Sequence, residues 1–392
     1  AQRYRETPSI LSGQETLFVS LWSLSIPLVV TGATRRMQCA WTPEEFIISH
    51  GHERVKMIKM VDPATVSVSV TVAQFFDEFC REDAMRPYAV KVKDWPPSSL
   101  FEAQFKRHFD AFMDAVPFPS YTRYNGFRNL AAHWPDTSGK ANLKPDLGPK
   151  MYVATRDLNE RGSTPLHLDV TGAVNILVHS SAKDRDVPGA LWHIYRAEDS
   201  DAIRTYLRTK GLYTVREDPI HARQTYLTSS MRLELRKLDV VAFEVHQKVG
   251  DAVFIPAGCA HQVSNLHSCI KVACDFLCPE GIVLSSKISE EFRRWSMPDV
   301  LQLRSMLWHG WTSLSLQSPV QANERTRIQR KRQRTRATSG AQADSARRKK
   351  QKRHHDGNTS AASHEHDYKC PHEICSGRDK SFKQLNGVFN HL

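Results

Sequence analysis

From residue 150 to residue 276 the chain is a succession of short β-branched and apolar runs separated by turn residues, interrupted by helical spacing at about 197–210 and 231–238. Short strands in such number point to a double-sheet jelly roll or cupin-like barrel, whose interior can hold a ligand between two sheets. A helix is expected from Phe101 to Val116, where Phe101, Phe105, Phe109 and Phe112 recur at helical spacing before Pro117 and Pro119 end it. Upstream, Val66 to Val72 alternates strictly and reads as a half-buried strand. Beyond Pro279, helical patterning covers 287–295 and then 299 to about 311. The expected organisation is mainly β with helices: an N-terminal α/β part over 1–100, the β core over 101–278 and C-terminal helices over 279–316.

One stretch inside the strand-rich region carries chemistry. Thr164-Pro-Leu-His167-Leu-Asp169 runs directly into Val170-Thr-Gly-Ala-Val-Asn175-Ile-Leu-Val178. On a strand, residues i and i+2 project from one face, so His167 and Asp169 can grip one metal ion. His261 lies in an apolar, turn-broken stretch, 255–263, which reads as a second strand returning beside the first and offers a third ligand. Two His and one carboxylate on one face of a metal leave its other positions open, as in non-heme Fe(II) oxygenases. The bland alternative is three half-buried, hydrogen-bonded strand residues. His108 and Asp110 repeat the spacing on the Phe101 helix and serve as a control. Residues two apart on a helix point to nearly opposite sides, so that pair does not chelate, and His108 is read as helix surface.

Composition limits the remainder. No run of eighteen apolar residues occurs, and the nearest, Leu17 to Val30, is interrupted by Ser20, Ser23, Ser25 and Pro27. It is read as folded strand, with Leu28 to Gly32 as strand and turn, rather than as a signal peptide or membrane span. The eight Cys do not form a disulfide framework: Cys259, Cys269, Cys274 and Cys278 fall inside apparent strands, which suits cytosol or nucleus. The chain starts without Met, which reads as a fragment or processed form.

The net charge of +12 is not evenly spread: between Glu324 and Asp356, thirteen Lys and Arg face three acids. That segment belongs to a stretch, 317–366, almost without large apolar residues, expected to be a disordered basic linker. Its two basic blocks, 330–334 and 347–353, suit a bipartite nuclear import signal or a non-specific clamp on DNA phosphates. The end, 367–392, holds Cys370, Cys375 and His391, with Phe382 and Val388 spaced as in a two-Cys, two-His zinc finger. These are three quarters of a zinc site, the fourth ligand being expected beyond Leu392.

Several blocks together resemble a known family. Gly162 to Val170 followed by Ala173-Val-Asn175 is similar to the metal-binding strand of JmjC domains. Asp94-Trp-Pro-Pro97, 145–152 (PDLGPKMY), 189–195 (GALWHIY), 250–258 (GDAVFIPAG) and 269–276 follow in order. The resemblance covers about residues 20–312 and is narrowest to the JmjC histone demethylases that include the hairless protein. It implies a double-stranded β-helix that uses Fe(II), 2-oxoglutarate and O2, with His167, Asp169 and His261 on iron. Histone H3 methylated at lysine 9 is the implied substrate, oxidised at its N-methyl groups with release of formaldehyde. Chromatin is the implied partner, the nucleus the compartment, and no membrane is involved.

The resemblance also implies a hydroxyl and a cation for the distal carboxylate of 2-oxoglutarate. Thr164, three residues before His167, stands where related oxygenases place the hydroxyl. For the cation, many JmjC proteins use a Lys at the distance of Lys183 from His167. Lys271 competes, as a lone Lys among Ile270, Val272 and Ala273, a setting that argues for a specific buried partner. Asn175, eight residues after His167, faces the same side on a regular strand and is a further cofactor candidate. Two other readings stand beside the demethylase: a JmjC hydroxylase acting on another protein, and an inactive chromatin scaffold.

Overall fold

Period-two alternation decides what each face of the central strands meets. The protein is described here from a computed structural model covering residues 5–61, 64–81, 87–97, 100–135, 145–158, 162–299, 301–317, 368–369 and 381–382. The chain divides into two units, Ala1–Ser318 and Pro319–Leu392. In chain order the strands of the first are β1 (Ser9–Leu11), β2 (Leu28–Thr31), β3 (Arg54–Val61), β4 (Ala64–Thr71), β5 (Ala89–Trp95), β6 (Lys150–Ala154) and β7 (Thr164–His167). There follow β8 (Gly172–Ser180), β9 (Ala190–Ile194), β10 (Phe243–Gln247), β11 (Ala252–Ile255), β12 (His261–Asn265) and β13 (Cys269–Phe276).

Nine strands form a large sheet, β1-β2-β11-β8-β13-β6-β5-β3-β4, and four form a small one, β10-β9-β12-β7. From β7 onward the chain winds between them: β7 small, β8 large, β9 and β10 small, β11 large, β12 small, β13 large. That winding makes the fold a double-stranded β-helix with flanking helices.

The central strands are buried on both faces, and alternate residues serve different layers. On β13, Ile270, Val272, Cys274 and Phe276 join an aromatic-rich core on the outer side of the large sheet. Val174 and Ile176 of β8 and Phe254 of β11 join the same core. Their neighbours Ala173, Val253 and Ile255 meet Trp192, Ile194 and Val263 of the small sheet in a second core. A third core packs helices Ser200–Thr209 and Ile282–Arg294 against the outer side of the small sheet. Each Phe or Leu so buried contributes roughly 2 kcal/mol.

Local sequence explains several helices. Thr71 accepts from Gln74 N at 3.1 Å while Gln74 Oε1 accepts from Thr71 N at 2.9 Å, a reciprocal cap that turns the alternating β4 into helix Val72–Cys80. The apolar 17–30 stretch departs from its reading as strand. Its first half is part of helix Glu15–Trp22, which buries Phe18 and Trp22, and only Leu28–Thr31 is strand. The last helix of the first unit starts at Leu303, not at 299, where Asp299 instead accepts from Leu303 N at its N-terminus.

The Phe-rich helix is also corrected. It breaks at Phe105 into Phe101–Gln104 and Lys106–Ala115, so that all four Phe reach the core. His108 is buried rather than on the surface: its ring stacks on Phe46 with centroids 4.9 Å apart, and its Nε2 pairs with Ala40 O at 3.0 Å. An imidazole is flat and apolar enough to be stacked, and needs only its polar edge satisfied. Asp110 turns away to Lys106.

No described helix is long and apolar enough to cross a membrane. Of the second unit, the structure describes one short antiparallel pairing, Tyr368–Lys369 with Ser381–Phe382. The expected basic blocks and Cys370, Cys375 and His391 lie outside the described residues.

Candidate metal centre

His167 ends β7 and His261 begins β12, and antiparallel pairing sets them directly opposite each other. Cross-strand neighbours on one face are close enough for their side chains to meet, and the two rings stand with centroids 4.2 Å apart. Asp169 arrives differently from the expectation. It is not on the strand with His167 but two residues past its end, where the chain leaves the small sheet for β8. Its carbonyl accepts from Gly258 N at 3.0 Å, pinning that turn to the one before β12. The carboxylate then lies 3.7 Å from His261 Nε2, and ligand atoms of His167, Asp169 and His261 fall within 4.8 Å of one another.

The second nitrogen of each ring is held by the backbone. His167 Nδ1 lies 2.9 Å from Pro165 O and His261 Nδ1 lies 3.0 Å from Cys259 O. A carbonyl only accepts, so Nδ1 carries the proton and Nε2 keeps its lone pair for a metal. Burial, followed by the neighbouring His261, pushes His167 down to about 3, so it stays neutral at ordinary pH. Burial alone would raise Asp169, but His167, His261 and Arg223 outweigh it and hold the carboxylate ionised. Two imidazoles that present Nε2 and one carboxylate form a donor set suited to a divalent first-row metal.

The three residues open on a cavity of about 380 Å³ between the sheets. The residues of β13 not used in the outer core, Lys271, Ala273 and Asp275, line it, as do Ala173 and Asn175 of β8. A larger groove of about 770 Å³, lined by Tyr88, Asp157, Tyr226 and Met231 among others, adjoins it and shares Ser163, Pro165 and Arg223.

Comparison with known proteins agrees with this geometry. Residues 159–276 match the family model described as JmjC domain, hydroxylase. The chain carries a JmjC domain. It is 33% identical over 345 residues to lysine-specific demethylase 3A of Gallus gallus, a match covering 75% of this chain and 26% of that protein. Lysine-specific demethylase 3 of Drosophila melanogaster is 33% identical over 357 residues, 78% of this chain and 41% of its own. The probable JmjC domain-containing histone demethylation protein 2C of Homo sapiens is 30% identical over 346 residues, 75% of this chain and 13% of its own. The chain thus spans well under half the length of these relatives.

Within the JmjC domain the candidates for cofactor contact separate cleanly. Thr164 lies on β7 opposite Val263 and lines the cavity. Lys271 is buried, donates to Asn265 Oδ1 at 2.5 Å, and holds its Nζ 5.9 Å from the centre of the Trp192 ring. Trp192 in turn stacks on His261, centroids 6.0 Å apart, and so lines the cavity as well as the core. Lys183 is exposed in the connection after β8 and is not among the cavity-lining residues. The polar run Asp184-Arg-Asp186 keeps that loop in solvent, so of the two candidate lysines Lys271 is the one that lines the cavity.

Asn175 reaches the cavity by a route other than the expected one. The chain from His167 to Val178 is not one regular strand; it crosses between sheets, and Asn175 faces His167 from the opposite wall. It is 8% exposed, and its Oδ1 has no hydrogen-bond partner.

Sequence reasoning missed several residues. Lys91 on β5 lines the cavity and donates to Ser163 O; burial pushes it down to about 8. Asn265 joins the two lysines, bonding Lys271 through Oδ1 and Ser163 Oγ through Nδ2 at 3.3 Å. Asp157, which accepts from Asn265 N at 2.7 Å, is their buried counter-charge. Asp94 sits where the β5–β6 register shifts, with φ of 55°, and accepts from the Tyr152 hydroxyl. For Lys91 the signal was poor: Val-Lys-Val-Lys over 90–93 reads as an ordinary strand with a solvated face.

Proposed function

We propose that this chain is an Fe(II)- and 2-oxoglutarate-dependent lysine demethylase acting on methylated histone tails, with histone H3 lysine 9 as its target. One observation carries the reading: a two-His, one-carboxylate centre faces a cavity that ends in a buried lysine. His167 and His261, through Nε2, and Asp169 would hold the iron. Lys271 would donate to the distal carboxylate of 2-oxoglutarate, with the Thr164 hydroxyl as a second donor and Asn175 as a further polar contact. A buried lysine that bonds a neutral amide and lines the cavity is placed to meet a carboxylate, whereas Lys183 is exposed outside it, which is the physical ground for preferring Lys271. When bound, the iron and 2-oxoglutarate supply the oxidation of an N-methyl carbon by O2, and succinate, CO2 and formaldehyde leave. Trp192 and Ile255 give the site apolar walls that keep water from it. The groove beside the cavity gives a polypeptide room to lie across its mouth.

We assign the protein to the nucleus and the basic segment 324–356 to nuclear import and contact with DNA phosphates, on its charge. A zinc site on Cys370, Cys375 and His391 is proposed on spacing.

The test is succinate and formaldehyde release from protein with Fe(II), 2-oxoglutarate and dimethylated histone H3 peptide, beside His167→Ala. Peptide-dependent formaldehyde, lost in the variant, is expected. Peptide hydroxylation without formaldehyde would instead make the protein a hydroxylase. No turnover and no retained iron would leave a scaffold.

A further inference from the structure

His167 and His261 are held by strand pairing and by a carbonyl behind each ring, whereas Asp169 lies past the end of β7, in a turn. There, strand parity no longer fixes which way a side chain points. Its backbone is pinned through Gly258 N, which leaves the side-chain torsions to be set by something else. A carboxylate free to turn can give a metal one oxygen or both. The choice matters, because a second oxygen from Asp169 would occupy a position that a two-His, one-carboxylate centre keeps open.

The two oxygens have different neighbours. Oδ2 lies 3.7 Å from His261 Nε2, on the side of the ligand nitrogens, and Oδ1 lies 3.7 Å from a guanidinium nitrogen of Arg223. Among the described residues, Arg223 is the only ion-pair partner of Asp169 apart from the ligand His261. A built turn delivers this arginine. Asp218 Oδ1 accepts from Ile220 N and His221 N, and Asp218 O accepts from Ala222 N. Arg223 itself is turned back with φ of 54°, a conformation that residues other than glycine rarely adopt. Two residues later, Thr225 O accepts from Leu166 N at 2.8 Å, which lays the segment along β7, the edge strand of the small sheet. The guanidinium thus reaches Asp169 from the side where the sheet offers no further strand. Of the residues that line both the cavity and the adjoining groove, Arg223 is the charged one. Backbone held in a rare conformation to aim one side chain at a ligand group is characteristic of functional sites.

We propose that Arg223 is a positioning residue: its guanidinium holds Asp169 Oδ1 away from the metal, so that the carboxylate ligates through Oδ2 alone and the remaining metal positions stay open. The role is exercised through Asp169 and not on the reacting atoms. An arginine suits it better than a lysine, because a planar fork fixes the orientation of a carboxylate where an ammonium only attracts it. The inference rests on the metal centre of the proposed function, and is independent of which peptide or which methyl group is oxidised.

The experiment reads the carboxylate directly. The full chain, labelled with 13C in its aspartate carboxyl groups, is titrated with Mn(II), and metal-induced infrared difference spectra are recorded for wild type, Arg223→Gln and Arg223→Lys. Ligation through one oxygen separates the two carboxylate stretching bands more widely than ligation through both. The wild type should show the wide separation, Arg223→Gln the narrow one, and Arg223→Lys a value between them. On the same Mn(II)-loaded preparations, affinity for 2-oxoglutarate should fall roughly tenfold in Arg223→Gln. Stoichiometric Mn(II) uptake shows that the variants are folded. A separation unchanged in both variants would overturn the role even if the cosubstrate binds more weakly, since loss of charge alone explains that. A narrow separation in the wild type would also overturn it. Narrowing in the variants, with no formaldehyde made by the Fe(II)-loaded wild type, would overturn the demethylase reading and leave this role standing. A wild type that takes up no metal would overturn both.

Discussion

Two buried ionic clusters in this molecule are built to different standards. In the helical layer, the Arg204 guanidinium meets Asp201 at 2.9 Å, Asp218 at 2.8 Å and Glu291 at 2.6 Å. His221 adds a contact to Glu291 at 3.1 Å, and Asp218 also accepts from the backbone of Ile220 and His221. Each charge there has an opposite charge or a donor from the protein itself. The cavity cluster is less complete. Lys271 bonds a neutral amide with Asp157 behind it, Asn175 holds an unused acceptor, and burial followed by the neighbouring Asp169 raises Asp275 well above the ordinary carboxylate value. A buried charge left short of partners costs stability unless something else supplies them. The first cluster is met by the folded chain itself, whereas the second keeps the Asn175 acceptor free in a cavity. Completeness of pairing, rather than burial or charge, separates a structural network from a binding site.

The largest test of that contrast removes a metal ligand. His167→Ala should abolish iron retention and lower turnover by roughly a thousandfold or more, while the melting temperature without metal stays close to that of the wild type. Metal content, turnover and calorimetry on the same preparation check it. A large loss of metal-free stability would mean that the cavity cluster also holds the fold.

Arg204→Met should do the reverse. Removing the centre of a satisfied buried network leaves Asp218 and Glu291 facing each other without a cation, at a cost of about 3 kcal/mol. Urea unfolding should register this, with turnover per folded molecule unchanged at low temperature.

Lys271→Met is next in size. Affinity for 2-oxoglutarate should fall roughly 30-fold, because the distal carboxylate would lose the cation proposed for it. Stability of the ligand-free protein should hold or rise, since an incompletely partnered charge is replaced by an apolar chain of similar length. A fall in both would place Lys271 with the structural network instead.

The smallest effect concerns pH. Lys91 is held at about 8 by burial, against an ordinary value of 10.5. Between those values the unfolded chain holds the proton and the folded chain does not, so this residue's contribution to stability rises with pH across that window. Below about 8 its burial costs stability in full. Lys91→Met should therefore be more stable than wild type near neutral pH, with the difference vanishing towards about 10.5. Paired unfolding curves across that range check the sign.

Much of the site was legible from residue chemistry. His167, Asp169 and His261 are the residue types an iron site needs, and a lone lysine among Ile270, Val272 and Ala273 announces a buried partner whatever the fold. What was not legible is how the residues come together. The His-x-Asp spacing suggested a strand face, whereas the structure holds Asp169 in the turn after β7 through Gly258, a residue far along the chain. Asn175 was placed by the parity of a continuous strand that in fact crosses between sheets. Lys91 and Asp94 lay in a strand whose pattern gave no reason to choose an inward face, and His108 seemed exposed because a helix pattern cannot show that Trp41 and Phe46 will cover it.

By itself, then, the sequence determined the class of fold and the donor set, because alternation and ligand chemistry are local properties of residue order. Only the tertiary structure decided the cavity's polarity: that Lys271 and Asp275 end one wall, that Lys183 stays outside, and that β5 contributes Lys91 and Asp94. Which strand lies beside which follows from packing the whole core, and a charge's environment is set by residues distant in the chain.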